Sequence, residues 1–204
     1  MPRRPRQYSP DIAYHVIARG NNRQALFRKT EDYERFLFFL RFLKGSFNFY
    51  VYHYCLMTNH VHLLIQFPVQ ESFRKVPQRL FLLYAKYFAR EYHHVGHVFQ
   101  DRFKSFPVED NQYLLECGRY IERNPVKAGL CKHPSDYKWS SYSFYGKGDN
   151  VNFLSVNPLF KDLGESIETQ RAAYERFVTV QRPYELAIEQ KILGQERRNR
   201  KVSR

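Results

Sequence analysis

The chain has 204 residues, with 33 Lys and Arg against 20 Asp and Glu, for a formal net charge of +13. That length supports one domain of ordinary size with an appendage, and the charge favours a polyanionic partner, nucleic acid or an anionic membrane surface. No run of eighteen apolar residues is present, the basic start Met1–Arg6 lacks a secretory apolar stretch, and Cys55, Cys117 and Cys131 form no Cys-x-x-Cys pair; these features argue against a membrane span and a cysteine zinc site and favour a reducing cytoplasm.

Residues 1–10 read as a basic arm in which Arg3, Arg4 and Arg6 meet an anionic partner. Asp11–Arg19 has the β-branched and aromatic content of a first strand, closed by the turn-forming Gly20-Asn21-Asn22. Thr30 is placed to cap a helix with acidic residues in its first turn, and Phe36, Leu37, Phe39, Leu40 and Phe42 recur at helical spacing to about Lys44. A strand over 47–57 and a second one from His60 to Pro68, joined by Thr58-Asn59, form an antiparallel pair. Pro77 is expected at the first turn of a helix to Tyr92, buried through Leu80, Leu83, Tyr84, Tyr87 and Phe88. Residues 98–108 read as a last strand, and Asp110 caps a helix from Asn111 to Arg123 that Asn124-Pro125 ends. A short packed turn at Trp139-Ser140-Ser141-Tyr142, one helix within 156–180 and a basic tail at 196–201 follow.

The order strand, helix, strand, strand, helix, strand matches a ferredoxin-like βαββαβ domain of the α+β class, an antiparallel sheet with both helices on one face. The helix from Asn111 is additional and must approach the sheet. The chain divides into the arm 1–10, a catalytic domain 11–150 and a helical extension 151–204.

Residues two apart on a strand share a face, so His60 and His62 point together while Val61 and Leu63 point away. Two imidazoles side by side are half of a divalent-metal site, or a packed histidine pair. On the additional helix, Leu114, Cys117, Gly118 and Ile121 form a packing stripe, with Tyr113, Glu116, Tyr120 and Asn124 beside it. The second line carries a phenol and, one turn later, an amide oxygen that a metal held by two imidazoles can take as a third ligand. Tyr120 also suits plain packing, and Asn before Pro a helix stop. Glu116 either orients Tyr120 or pairs with an arginine, and the arginine is preferred. Aromatic residues make up 17% of the chain; interleaved with cations they suit single-stranded nucleic acid, whose bases stack on rings.

Five segments occur in order: Tyr14–Asn21, Met57–Leu64, Phe99–Ser105, Tyr120–Gly129 and Trp139–Tyr142. Together they resemble the REP-associated tyrosine transposases, relatives of the single-tyrosine insertion-sequence transposases in the His-hydrophobic-His nuclease superfamily, over about residues 10–145. The resemblance implies that His60 and His62 bind a divalent metal, Mg²⁺ or Mn²⁺, and that Tyr120 is the nucleophile of single-strand DNA cleavage through a 5′-phosphotyrosine link. Asn124 stands where insertion-sequence relatives tend to place a glutamine ligand. Arg19, Arg102, Lys104, Arg119 and Arg123 join the arm as phosphate contacts, and the substrate is single-stranded or hairpin DNA. A monomer working in the cytoplasm at the nucleoid, with no membrane partner, is expected. The rival readings are a non-catalytic, domesticated binder of structured DNA and a phosphodiesterase with a water nucleophile, which leaves no protein–DNA bond.

Overall fold

A computed structural model describes residues 8–180, 182–190 and 192. Four strands, β1 (Ala13–Arg19), β2 (Tyr50–Met57), β3 (His60–Gln66) and β4 (Lys104–Val108), form one sheet in the order β2-β3-β1-β4, each neighbouring pair antiparallel. Helices α1 (Thr30–Ser46) and α2 (Gln70–Glu91) connect them, completing the expected βαββαβ unit. No helix among the described residues is long and apolar enough to cross a membrane.

Strand alternation divides the sheet between two cores. Val16, Ala18, Val61, Leu63 and Ile65 face α1 and α2, meeting Phe36, Leu40, Leu80, Tyr84 and Phe88. Ala13, Cys55, Met57 and Leu64 face the other way, against Cys117, Tyr120 and Ile121 of α3 (Asn111–Lys127). The additional helix therefore covers the sheet face that α1 and α2 leave bare. A bulge between Val51 and His53 turns both Tyr52 and His53 toward that face.

Several local expectations require correction. The first helix takes its cap from Asp32 rather than Thr30. That buried carboxylate accepts from the Arg28 and Lys29 N–H groups (2.7 and 3.1 Å) and from the Tyr87 and Tyr92 hydroxyls (2.8 and 2.6 Å). Phe42 lies on the outer face of α1, 58% exposed, while Leu43 fills the core in its place. Pro77 lies inside α2, not at its start, because Phe73 and Val76 continue the buried stripe of Leu80 and Tyr84. Burying those two side chains is worth about 3–6 kcal/mol, enough to offset one lost hydrogen bond. Residues 98–103 form no strand; Phe99 makes a single bridge to Gly20 beyond the end of β1.

After α3 the chain returns along the free edge of β2. The Leu56 N–H donates to the Trp139 carbonyl (2.9 Å) and the Ser141 N–H to the Tyr54 carbonyl (3.0 Å), so the edge is covered. Helix α4 (Ile167–Thr179) then packs on α3, with Tyr142, Tyr145, Phe160, Tyr174 and Val178 as a third core. A further helical segment at 184–190 buries Ile188 beside Tyr120.

Candidate active site

The turn that delivers the histidines is gripped from outside. Leu26 and Phe27 N–H groups both donate to the Thr58 carbonyl (2.8 and 3.1 Å), and the Gly20 N–H donates to the Asn59 carbonyl (2.8 Å). A Cβ at Gly20 would lie 2.3 Å from the Gln24 carbonyl oxygen, so no side chain fits there.

The His60 and His62 rings stand 4.9 Å apart, edge to face. His60 Nδ1 is 2.7 Å from Asn59 Oδ1, and that oxygen is fixed as the acceptor because Asn59 Nδ2 donates to the Arg23 carbonyl at 3.2 Å. His60 therefore carries its proton on Nδ1 and keeps a bare lone pair on Nε2. His62 Nδ1 is engaged by His15 Nε2 at 2.8 Å, so Nε2 is the nitrogen left to it. Burial pushes the His60 pKa down to about 4, with the Arg19 charge adding to the effect. Burial likewise holds His62 well below its ordinary value, helped by His60, His15 and Arg19. Both rings are neutral near pH 7, the state a metal ligand requires.

Tyr120 completes the cluster from α3. Its ring lies edge-on to His62 and to His15, 5.9 Å from each, within the same chain. Burial raises the phenol pKa, with Glu189 and Cys117 adding and Arg19 opposing. Asn124 follows one turn later, 9% exposed. Its Nδ2 donates to the Tyr120 and Ile121 carbonyls at 2.8 and 3.3 Å. Pro125 has no N–H to offer the Ile121 carbonyl, and the Asn124 amide takes over that bond. This is why α3 runs through Asn124-Pro125 to Lys127 instead of stopping at Arg123. With the nitrogen so committed, the amide oxygen is the end of Asn124 that can serve as a ligand.

Two neutral imidazoles with their Nδ1 atoms engaged, and an amide oxygen one turn beyond Tyr120, are donor types that suit a divalent ion completing its shell with phosphate and water. They do not amount to a closed protein cage. Among the described residues no group of three or more His, Cys, Asp or Glu side chains gathers to hold a metal.

The model of the IS200-like transposases matches residues 8–124, more than half of the chain. The chain belongs to the IS200-like transposase family. No curated protein matches it in sequence. Among solved structures it is similar to a REP-associated tyrosine transposase bound to a REP hairpin, with 19% identity and a TM-score of 0.59 over 77% of this chain and 93% of that one. That likeness establishes the shared fold.

The remaining expected contacts of this transposase separate into two groups. Arg19 lies half-buried opposite His60 across the β1–β3 ladder. Arg102 is exposed in a cleft of about 840 Å³ between α2 and residues 96–103, together with Arg74 and Lys86. Lys104 opens β4, half-buried. Arg119 and Arg123, by contrast, face inward. Arg119 is fully buried, its Nε donating to the Phe177 carbonyl at 2.7 Å and its Nη1 2.8 Å from Glu185. Arg123 donates to the Val178 and Thr179 carbonyls, both at 2.8 Å, with its Nε 2.7 Å from Glu185. The contacts to Glu185 are ion pairs whose N–H groups do not point squarely at the oxygen. Glu116 pairs with Arg119 and Arg182 (3.6 and 3.3 Å), as expected, and not with Tyr120. Arg3, Arg4 and Arg6 lie outside the described residues.

Sequence reasoning missed His15 and the whole support of α3. Glu122, fully buried, accepts from His53 Nδ1 (2.9 Å), Ser141 Oγ (2.6 Å) and the Tyr174 hydroxyl (2.8 Å). Strand alternation alone would have put His15 on the face of Ala13, Ile17 and Arg19. Nothing in the sequence signals that His53, 69 residues from Glu122, is its partner.

Proposed function

We propose that this transposase cleaves and rejoins single-stranded DNA beside a hairpin, with Tyr120 as nucleophile and His60, His62 and the Asn124 oxygen as ligands of Mg²⁺ or Mn²⁺. The observation that carries this reading is the placement of the Tyr120 ring 5.9 Å from His62, on the face where both histidines keep Nε2 available. When bound, a divalent ion polarises a non-bridging oxygen of the scissile phosphate and neutralises charge developing there.

The protein's own groups do the rest. Tyr120 Oη forms a bond to phosphorus as the bond to the 3′-oxygen breaks; the phenolic proton leaves the nucleophile and the departing oxygen gains one, becoming a 3′-hydroxyl. The 5′-phosphotyrosine conserves the bond, so a second 3′-hydroxyl can attack it and reseal the strand. A buried phenol resists ionisation, and the Arg19 cation opposes this. The hairpin substrate is carried over from the REP hairpin in the related structure and suits the basic chain. A single chain brings the histidines and Tyr120 together, which supports action as a monomer. We place the catalytic unit at 11–150, flanked by the arm 1–10 and the extension 151–204, and the protein at the nucleoid.

The deciding experiment incubates the protein with Mg²⁺ and a labelled single strand carrying a hairpin. A covalent adduct is expected with the unaltered chain and none with Tyr120→Phe, which still binds the strand. Cleavage that persists in Tyr120→Phe, or proceeds without any adduct, would overturn the reading and favour a water nucleophile; binding with neither cleavage nor adduct would favour the non-catalytic role.

A further inference from the structure

We infer that His15 is a positioning residue, orienting the His62 ring and accepting its Nδ1 proton when His62 presents a bare Nε2 to the site. This rests on the reading of His60 and His62 as ligands, and it concerns a group that does not itself touch the metal.

His15 lies on β1, beside β3. Ile17 is the residue directly opposite His62, so His15 reaches it along the diagonal that long side chains can span on one sheet face. Fully buried, it is flanked by Phe106 on β4 and the Tyr120 ring above. Its own ring meets His62 edge to edge, with centroids 5.1 Å apart, planes inclined by 29° and its Nε2 2.8 Å from His62 Nδ1. An imidazole that ligates through Nε2 must carry its proton on Nδ1 and needs an acceptor for it; that outer partner fixes ring orientation and tautomer. Asn59 fills this place for His60. For His62 the corresponding partner is His15.

The pairing has a second arrangement. If His15 donates from Nε2, His62 accepts at Nδ1 and carries its proton on Nε2, where it blocks a ligand. In the first arrangement His15 must hold its own proton on Nδ1, a buried atom that has no hydrogen-bond partner among the described residues. An orphaned N–H carries a cost, and a ligand bound at His62 Nε2 is what favours the ligating arrangement. A carboxylate in place of His15 would lock the ligating form permanently; an imidazole leaves it conditional.

The test uses the full chain and Mn²⁺ as probe. His15→Phe keeps a ring in the core but removes the acceptor, and weakens Mn²⁺ binding by about 10–100-fold. His15→Gln places an amide oxygen near the former Nε2 and recovers most of that loss. Affinity for a hairpin oligonucleotide in EDTA stays within about twofold in both, a readout that a general loss of folding would move. Independently, long-range ¹H–¹⁵N spectra of the unaltered chain in Mg²⁺ should show His62 protonated on Nδ1. The inference is overturned if His15→Phe binds Mn²⁺ as the unaltered chain does while His62→Ala does not, or if His62 keeps its proton on Nε2 in Mg²⁺. Should His60→Ala and His62→Ala both bind Mn²⁺ undiminished, the ligand reading itself fails and takes this inference with it.

Discussion

Glu122 and His53 share a fully buried hydrogen bond of 2.9 Å that ties α3 to the edge strand β2. The far side of His53 is also occupied: its Nε2 accepts from Asn157 Nδ2 at 3.1 Å. Glu122 takes two further donors, Ser141 from the segment along β2 and Tyr174 from α4. Gly118, one turn earlier on α3, lets the helix rest on the imidazole; a Cβ there would lie 2.5 Å from His53 Nε2. Tyr120 stands between Gly118 and Glu122, so this network sets how the proposed nucleophile approaches the sheet. Glu122→Ala leaves three buried donors without their acceptor and should destabilise the fold by about 3–5 kcal/mol. Glu122→Gln, which keeps one acceptor, should lose less. Urea denaturation measures both; a loss below about 1 kcal/mol for the alanine variant would mean that α3 is held by apolar packing alone.

Asn124 combines two duties that a single substitution separates. Its Nδ2 supplies the bond that Pro125 withholds from the Ile121 carbonyl, and its oxygen is the proposed third ligand. Asn124→Asp removes the donor and puts a negative charge near the helix C-terminus, where the macrodipole disfavours it. Stability should fall by about 1–2 kcal/mol, while Mn²⁺ binds more tightly to the anionic oxygen. Calorimetric titration of Asn124→Asp and Asn124→Ala decides. Unchanged affinity in both would confine Asn124 to repairing the helix.

The order of strands and helices and the shared sheet face of His60 and His62 follow from spacing, because the periods of 2.0 and 3.6 are local properties; the association of Tyr120 with the histidines comes from the resemblance of five ordered segments to the transposase family. What spacing could not supply was competition between distant terms. Pro77 and Pro125 each look like a boundary from their neighbours; one is overruled by the burial of Phe73 and Val76, the other by an amide side chain bonding back into its own helix. Arg119 and Arg123 look like surface cations on a basic chain, yet Glu185, more than sixty residues later, draws both inward. His15 and Glu122 were equally hidden, since each acquires meaning only from a residue on another element.

Acid should destabilise this fold in a particular window. Burial lowers the pKa of His15 to about 3 and of His60 to about 4, and holds that of His62 well below its ordinary value. Above about pH 6.5 these histidines are neutral whether folded or unfolded and contribute no pH dependence. Between about pH 6.5 and 4 the unfolded chain binds protons that the folded chain refuses, so stability falls as pH falls, by up to about 1.4 kcal/mol per pH unit for each group. Urea midpoints at pH 7.5, 6 and 5 should therefore decline, and less steeply in His15→Phe. A slope that is the same in the variant would show that His15 protonates freely in the folded state.

Arg102 and Arg119, both expected on the DNA surface, should behave oppositely when removed. Arg102 is exposed among Arg74 and Lys86, so Arg102→Ala should leave stability within about 0.5 kcal/mol. It should also weaken hairpin binding and reduce the slope of log affinity against log salt by about one. Arg119 is fully buried between Glu116 and Glu185. Arg119→Ala takes one cation from each of these carboxylates, leaving Glu116 with Arg182 and Glu185 with Arg123, while the Phe177 carbonyl loses its donor and a large buried side chain is deleted. That variant should lose about 3–5 kcal/mol of stability and, while still folded, keep the salt slope of the unaltered chain. A reduced slope with intact stability for Arg119→Ala would mean that the segment carrying Glu185 swings away when DNA binds and releases the guanidinium to a phosphate.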